Sequence, residues 1–416
     1  MENREILIEV NGRRYRWPSR PVVAVCIDGC SPDYLENALA AGIMPNLAAF
    51  KKEGFFSWAD GVIPSFTNPN NLSIVTGVPP SGHGISGNYY LDSQTGAEIM
   101  MNDPRLLRCE TIPAKFAGAG ARVAVVTAKD KLLGLLSHHL FTGIRFSAER
   151  ADRCTLPGNG IEGVPSRVGM DLPQVYSPEL SYFVLRAGVK ILETHRPHLM
   201  YLSLTDFIQH KYSPGTAQAA EFYRLMDAEW GKLADLGAVV ALTADHGMND
   251  KTNPDGSPRV IYLLELLDLE FGGGACRVIC PITDPYVAHH GSLGSFVTVF
   301  LFNRLALVPV MNFIRRLRGV ERVVDRQQVF FEFELPPDRV GDLSVLGDAS
   351  TVIGTSPRDH DLSALGHLPL RSHGGLAEQK VPFILSRPLS GAYARRAQTE
   401  RLRNFHLFEF ALNGTM

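Results

Sequence analysis

Two textures of hydrophobic positions alternate along the chain. In residues 22–27, 121–128, 199–204 and 237–242 nearly every position is apolar, the pattern of strands covered on both faces in a parallel sheet. In residues 33–54, 179–195 and 216–236, Leu, Val and Ile recur every three or four positions, which reads as amphipathic helix, with Gly54 as a stop for the first. The alternation predicts an α/β fold: a central, mostly parallel sheet flanked by helices. Ahead of it, apolar pairs around Asn11-Gly12 predict a peripheral hairpin at about residues 5–18, because Asn-Gly supplies the two positive-φ positions of a type I′ turn.

After Asp250 the texture changes. Between about residues 256 and 365, short β-rich pieces (297–301, 329–333, 351–353) surround a helical stretch at 308–318. This predicts a smaller α+β cap domain, 256–365, inserted into a catalytic domain of residues 1–255 and 366–416.

Three apolar runs end in an acid: Asp28 before Gly29, Asp206, and Asp245 before His246. At the carboxyl edge of one sheet these carboxylates converge, which is unfavourable unless cations neutralise them. His210 lies four residues after Asp206, on the same face one helical turn later, and His373 stands in Ser372-His373-Gly-Gly. Mixed carboxylate and imidazole donors suit zinc or manganese better than magnesium or calcium, and six are too many for one tetrahedral zinc with an open position. Two metals are expected. Thr67 precedes Pro69 and so lies at the amino end of a helix. Its hydroxyl is either a helix cap or a nucleophile that ionises beside the helix dipole and a cation. Two metals sharing Thr67 would suit phosphoryl transfer. Lys129 and Lys131 follow the 121–128 run; they are either solvated or, two apart on an extended segment, able to clamp a carboxylate. His289 and His290 read as solvated loop residues.

Composition narrows the classes. With 416 residues, 45% hydrophobic, and a net charge of -2, the chain has no basic footprint for nucleic acid and no polybasic patch for membranes. The greasiest stretch, 296–311, is interrupted by Asn303 and Arg304 and is too short to span a bilayer, and the first residues lack the apolar core of a secretory signal. A soluble cytoplasmic protein acting on a small molecule is expected, with a homodimer left open. Six cysteines in a chain of this length read as buried thiols.

The motifs Ile-Asp28-Gly, Pro-Ser-Phe-Thr67-Asn-Pro-Asn, Thr76-Gly-Val-Pro-Pro-Ser-Gly-His83-Gly-Ile, Asp206 with His210, Asp245-His246-Gly-Met and Ser372-His373-Gly-Gly occur in an order that resembles the alkaline phosphatase superfamily. Within it, the chain is similar to the branch holding nucleotide pyrophosphatase/phosphodiesterases and phosphonoacetate hydrolase, over nearly its whole length. The resemblance implies one zinc on Asp206, His210 and His373, and a second on Asp28, Asp245 and His246 with the Thr67 oxygen. It implies that Thr67 is the nucleophile of a phospho-threonine intermediate and that Asn88, otherwise a turn former, donates to a phosphoryl oxygen. Thr127-Ala-Lys129-Asp-Lys131 is similar to the lysine pair of the phosphonoacetate-cleaving members, which implies hydrolysis of the carbon–phosphorus bond of phosphonoacetate to acetate and phosphate. A nucleotide phosphodiesterase or pyrophosphatase is the second reading. A non-catalytic metal-binding relative is a third, disfavoured because the nucleophile and all six ligands are present.

Overall fold

The computed structural model describes residues 6–284, 290–302 and 305–416; His289, Asn303 and Arg304 lie outside them. The chain is built on a seven-stranded sheet in the order Phe55–Asp60, Lys380–Leu385, Val239–Thr243, Val22–Cys26, Leu199–Ser203, Val123–Thr127, Ile144–Ser147. The last five run parallel, and Lys380–Leu385 pairs antiparallel on both sides. The strands Val22–Cys26, Leu199–Ser203, Val123–Thr127 and Val239–Thr243 are buried at every residue, as unbroken apolar runs require. Flanking helices, among them Glu179–His195 and Ala217–Asp235, bury one face each. No helix among the described residues is long and apolar enough to cross a membrane.

The hairpin forms as Leu7–Val10 with Arg13–Arg16, and Asn11 and Gly12 take φ of 51° and 78°. The single helix expected over 33–54 is two, Pro32–Ala40 and Pro45–Glu53, parted at Gly42 with φ 69°. Pro45 explains the break: it cannot donate to the preceding turn and suits the first turn of a new helix.

A second, four-stranded antiparallel sheet has the order Cys276–Ile279, Phe296–Leu301, Leu343–Gly347, Val320–Asp325. It carries its own apolar cluster, including Val297, Val299, Leu343 and Val345. Ile63 and Phe66, just ahead of Thr67, belong to that cluster too. Residues 329–333, expected as strand, are the end of the helix Arg326–Phe333. A capping box decides the matter, since Asp325 accepts from the Gln327 and Gln328 amides while the Gln328 side chain accepts from Asp325 N.

Candidate active site

Four neighbouring parallel strands deliver charged residues to one edge. Asp245, Asp28 and Lys129 each lie two residues past the end of a strand and Asp206 three past, and all four are at least nine-tenths buried. The short helix Phe207–Lys211 then turns His210 back on Asp206, with Nε2 3.0 Å from Oδ2. His246 Nε2 stands 3.2 Å from Asp28 Oδ1 and 3.8 Å from Asp245 Oδ2. His373 enters from the far end of the chain and stacks on His246, ring centroids 3.6 Å apart.

The three imidazoles are oriented alike. Nδ1 faces a backbone carbonyl in each: Arg371 O at 2.9 Å for His210, Gly247 O at 2.9 Å for His246 and Ser65 O at 2.7 Å for His373. A carbonyl there fixes the Nδ1–H tautomer and leaves Nε2 as the donor atom. Ligand atoms of Asp206, His210 and His373 lie within 4.8 Å of one another, as do those of Asp28, Asp206 and His246.

Electrostatics describes an overcrowded acidic site. Burial, then the Asp28 charge, pushes Asp245 up to about 8. Against burial, Asp245 and Asp28 raise His246 to about 9. Burial and Asp206 oppose ionisation of Asp28, but Lys129 and His246 hold it below the usual carboxylate range; Asp206, despite its burial, is held low by Lys129 and His210. Burial and the neighbouring His246 keep His373 neutral. Three converging carboxylates, one of them forced towards protonation, and three imidazoles presenting Nε2 form a donor set that fits divalent cations.

Thr67 is buried and is the first residue of the helix Thr67–Thr76; Phe66 holds the cap position without a side-chain bond. The hydroxyl is therefore not spent on capping, and Oγ1 lies 3.5 Å from His246 Nε2. One turn on, Asn71 donates to Thr67 O at 3.1 Å and to Asp245 Oδ2 at 3.0 Å, while its Oδ1 accepts from Tyr201 and Ser203. Sequence reasoning passed over Asn71, although its spacing of four from Thr67 placed it on the same helical face. Asn88 is buried, its Oδ1 accepting from Asn68 N at 3.2 Å and its amide nitrogen 3.5 Å from Ile282 O.

The lysines depart from expectation. They do not share an extended segment, because Lys129 is the cap residue of the helix Asp130–Leu136 and Lys131 lies inside it. Lys129 Nζ bridges Asp28 Oδ2 at 2.7 Å and Asp206 Oδ1 at 2.9 Å. Lys131 is in contact with the Asp284 carboxylate, delivered from the stretch after Cys276–Ile279. Burial and the Lys129 ammonium draw Lys131 down to about 7, against the opposing charges of Asp206 and Asp28. Both lysines line an open cavity of about 370 Å³ with Asn102, Glu149, Arg150 and Tyr176. His290, expected in solvent, is buried with its ring 5.3 Å from that of His210.

The chain belongs to the type I phosphodiesterase / nucleotide pyrophosphatase family, whose profile matches residues 22–282. It is similar to the phosphonoacetate hydrolase of Sinorhizobium meliloti 1021, solved in complex with phosphonoformate and with phosphonoacetate, at 50% and 49% identity over 98% of both chains, with TM-score 0.93. An uncharacterised pyrophosphatase/phosphodiesterase of Schizosaccharomyces pombe is 35% identical over 269 residues, 60% of this chain and 48% of that protein. The chain spans less than half the length of the curated relatives it matches first. Murine ectonucleotide pyrophosphatase/phosphodiesterase 5, at 17% identity and TM-score 0.62 over 95% of this chain and 96% of that one, shares the fold.

Proposed function

We propose that this protein hydrolyses the carbon–phosphorus bond of phosphonoacetate, releasing acetate and phosphate. The observation that carries the choice of substrate is that Lys129, which bridges Asp28 and Asp206, and Lys131 line one open cavity. A phosphate diester expels an alkoxide, but carbon–phosphorus cleavage expels a carbanion whose charge must spread onto its carboxylate, and ammonium groups beside that carboxylate are what such a step requires. Similarity to a hydrolase solved with phosphonoacetate supports the same substrate.

Asp206, His210 and His373 would hold one zinc ion and Asp28, Asp245 and His246 a second, and the ions would supply Lewis-acid charge that favours ionised Thr67 and a neutralised phosphoryl group. Thr67 Oγ1 attacks phosphorus. The carbon–phosphorus electron pair departs with the acetate carbon, is delocalised as an enediolate against Lys131 and Lys129, and takes a proton from water to give acetate. Asn88 donates to a phosphoryl oxygen. Water then cleaves the phospho-threonine, returning Thr67 and phosphate. Residues 256–365 act as a cap in this reading: Asp284 touches Lys131, Ile282 O faces Asn88, and Phe296 packs edge-on to Phe66 at 6.3 Å.

The test is phosphate release by zinc-loaded protein from phosphonoacetate beside hydrolysis of a nitrophenyl nucleotide ester. Release from phosphonoacetate with weak ester turnover is expected. The family also contains nucleotide pyrophosphatases, and the opposite ranking would make this protein a nucleotide phosphodiesterase.

A further inference from the structure

His246 and His373 come from distant segments yet stack ring on ring at an interplanar angle of 6°. A two-residue ladder, Asn249–Asp250 with Arg371–Ser372, joins those segments but is too short to fix them alone. Glu378, buried, does the rest. Its backbone oxygen accepts from Gly247 N at 2.7 Å, beside His246. Its Oε2 accepts from Gly375 N at 3.0 Å, two residues after His373. Its Oε1 accepts from Asn249 Nδ2 at 2.5 Å and from Lys251 Nζ at 2.8 Å. Lys251 Nζ donates again to Ala349 O at 2.9 Å, in the turn between Leu343–Gly347 and Val352–Gly354. One carboxylate thus touches both histidine segments, and its counter-ion ties them to the second sheet.

Stability alone does not account for such a pair. Both side chains are at 0% exposure, and at that depth the cost of desolvating two charges about cancels their attraction, so an apolar pair of equal volume would serve as well. An apolar pair could not accept from Gly375 N and Asn249 Nδ2 at once. Nor is there slack around the clamp: a Cβ on Gly247 would stand 3.2 Å from Ser31 Cβ, and one on Gly375 3.2 Å from Gly347 O.

We propose that Lys251 and Glu378 are positioning residues that set the spacing of His246 and His373 and, through it, the affinity of the site for a pair of zinc ions. The proposal rests on the reading of those histidines as ligands. Two variants test it: Glu378→Gln, which keeps the shape and removes the charge, and the double variant Lys251→Met/Glu378→Gln, which leaves no unpaired buried charge and folds even if the single variant does not. Zinc stoichiometry and dissociation constants are measured by chelator competition, with the metal-free Tm and kcat/KM as a function of zinc. Both variants should bind one of the two zinc ions about 10–100-fold more weakly, with activity recovered in excess zinc and the metal-free Tm of the double variant close to that of the parent. Unchanged zinc constants with a lowered metal-free Tm would make the pair a structural tie and overturn the proposal. If the parent protein itself failed to hold two zinc ions, the ligand reading would fall instead, whatever the variants did.

Discussion

Lys131 and Lys129 differ in what their removal should do. Lys131 faces Asp284 and the cavity, so Lys131→Ala removes a charge-assisted contact to the departing carboxylate, about 2–4 kcal/mol, and should lower kcat/KM on phosphonoacetate by roughly 30-fold to 1,000-fold while sparing an aryl phosphate ester. Lys129 lies between Asp28 and Asp206, so Lys129→Ala should depress turnover of both substrates and change zinc content. Parallel kinetics on the two substrates with metal analysis separates the cases; equal losses for Lys131→Ala would remove the argument for a phosphonate. The acids Asp28, Asp206 and Asp245 were legible in the sequence because a fully apolar strand has one end where a charge can stand, and parallel strands share that end. The lysines were legible by position but not by conformation. The helix Asp130–Leu136 is too short to show a period, and Lys131's partner, Asp284, is brought to it only by tertiary folding.

At the scale of elements, the helix Thr67–Thr76 carries the candidate nucleophile with every residue buried. It is held along its length by polar side chains. Asn70 donates to Val62, Pro64 and Phe66 carbonyls in the approach to Thr67 and accepts from Val62 N and from Asn404. His83 accepts from Ile85 N through Nδ1, so its Nε2 carries the proton and donates to Ser73 Oγ at 2.9 Å. Burial pushes His83 down to about 3, so the folded protein keeps it neutral where the unfolded chain would protonate it. That contribution is complete above about pH 6.5 and is lost as pH falls towards 3. Urea unfolding should therefore show stability dropping across that window, and His83→Gln should flatten the drop; an unchanged slope would mean that other groups set it. Such ties lie outside what periodicity can show, because the partner of a buried polar side chain is set by the fold and not by the spacing of apolar residues. The same limit split the helix expected over 33–54 at Pro45 and turned 329–333 from strand to helix, a local capping box outweighing an apolar, aromatic run.

For the whole molecule, the parallel core followed from sequence pattern, whereas the second sheet's strand order did not, since its strands are short and their pairings join distant positions. The concentration of acid at one sheet edge has a global effect. Cations that bind only the folded form stabilise it by mass action, about 3 kcal/mol per site at hundredfold excess over Kd, and would offset the burial and the Asp28 charge that drive Asp245 up to about 8. Chelation should lower the Tm by several degrees, and zinc should restore it; a Tm indifferent to chelator would count against a metal-holding site. The interposed strand Lys380–Leu385 carries a further consequence. It sits between Phe55–Asp60 and Val239–Thr243, so Phe55–Asp60 has no neighbour in the sheet until Lys380–Leu385 itself is made. Asp28 and Thr67 are made long before His373, so the group of Asp206, His210 and His373 closes only after the strands of the second sheet have been made. Between the making of Asp245 and that of His373 the growing polypeptide carries three acids in want of company, so a metal taken up on both ligand sets would find its full site only once the second sheet has been made.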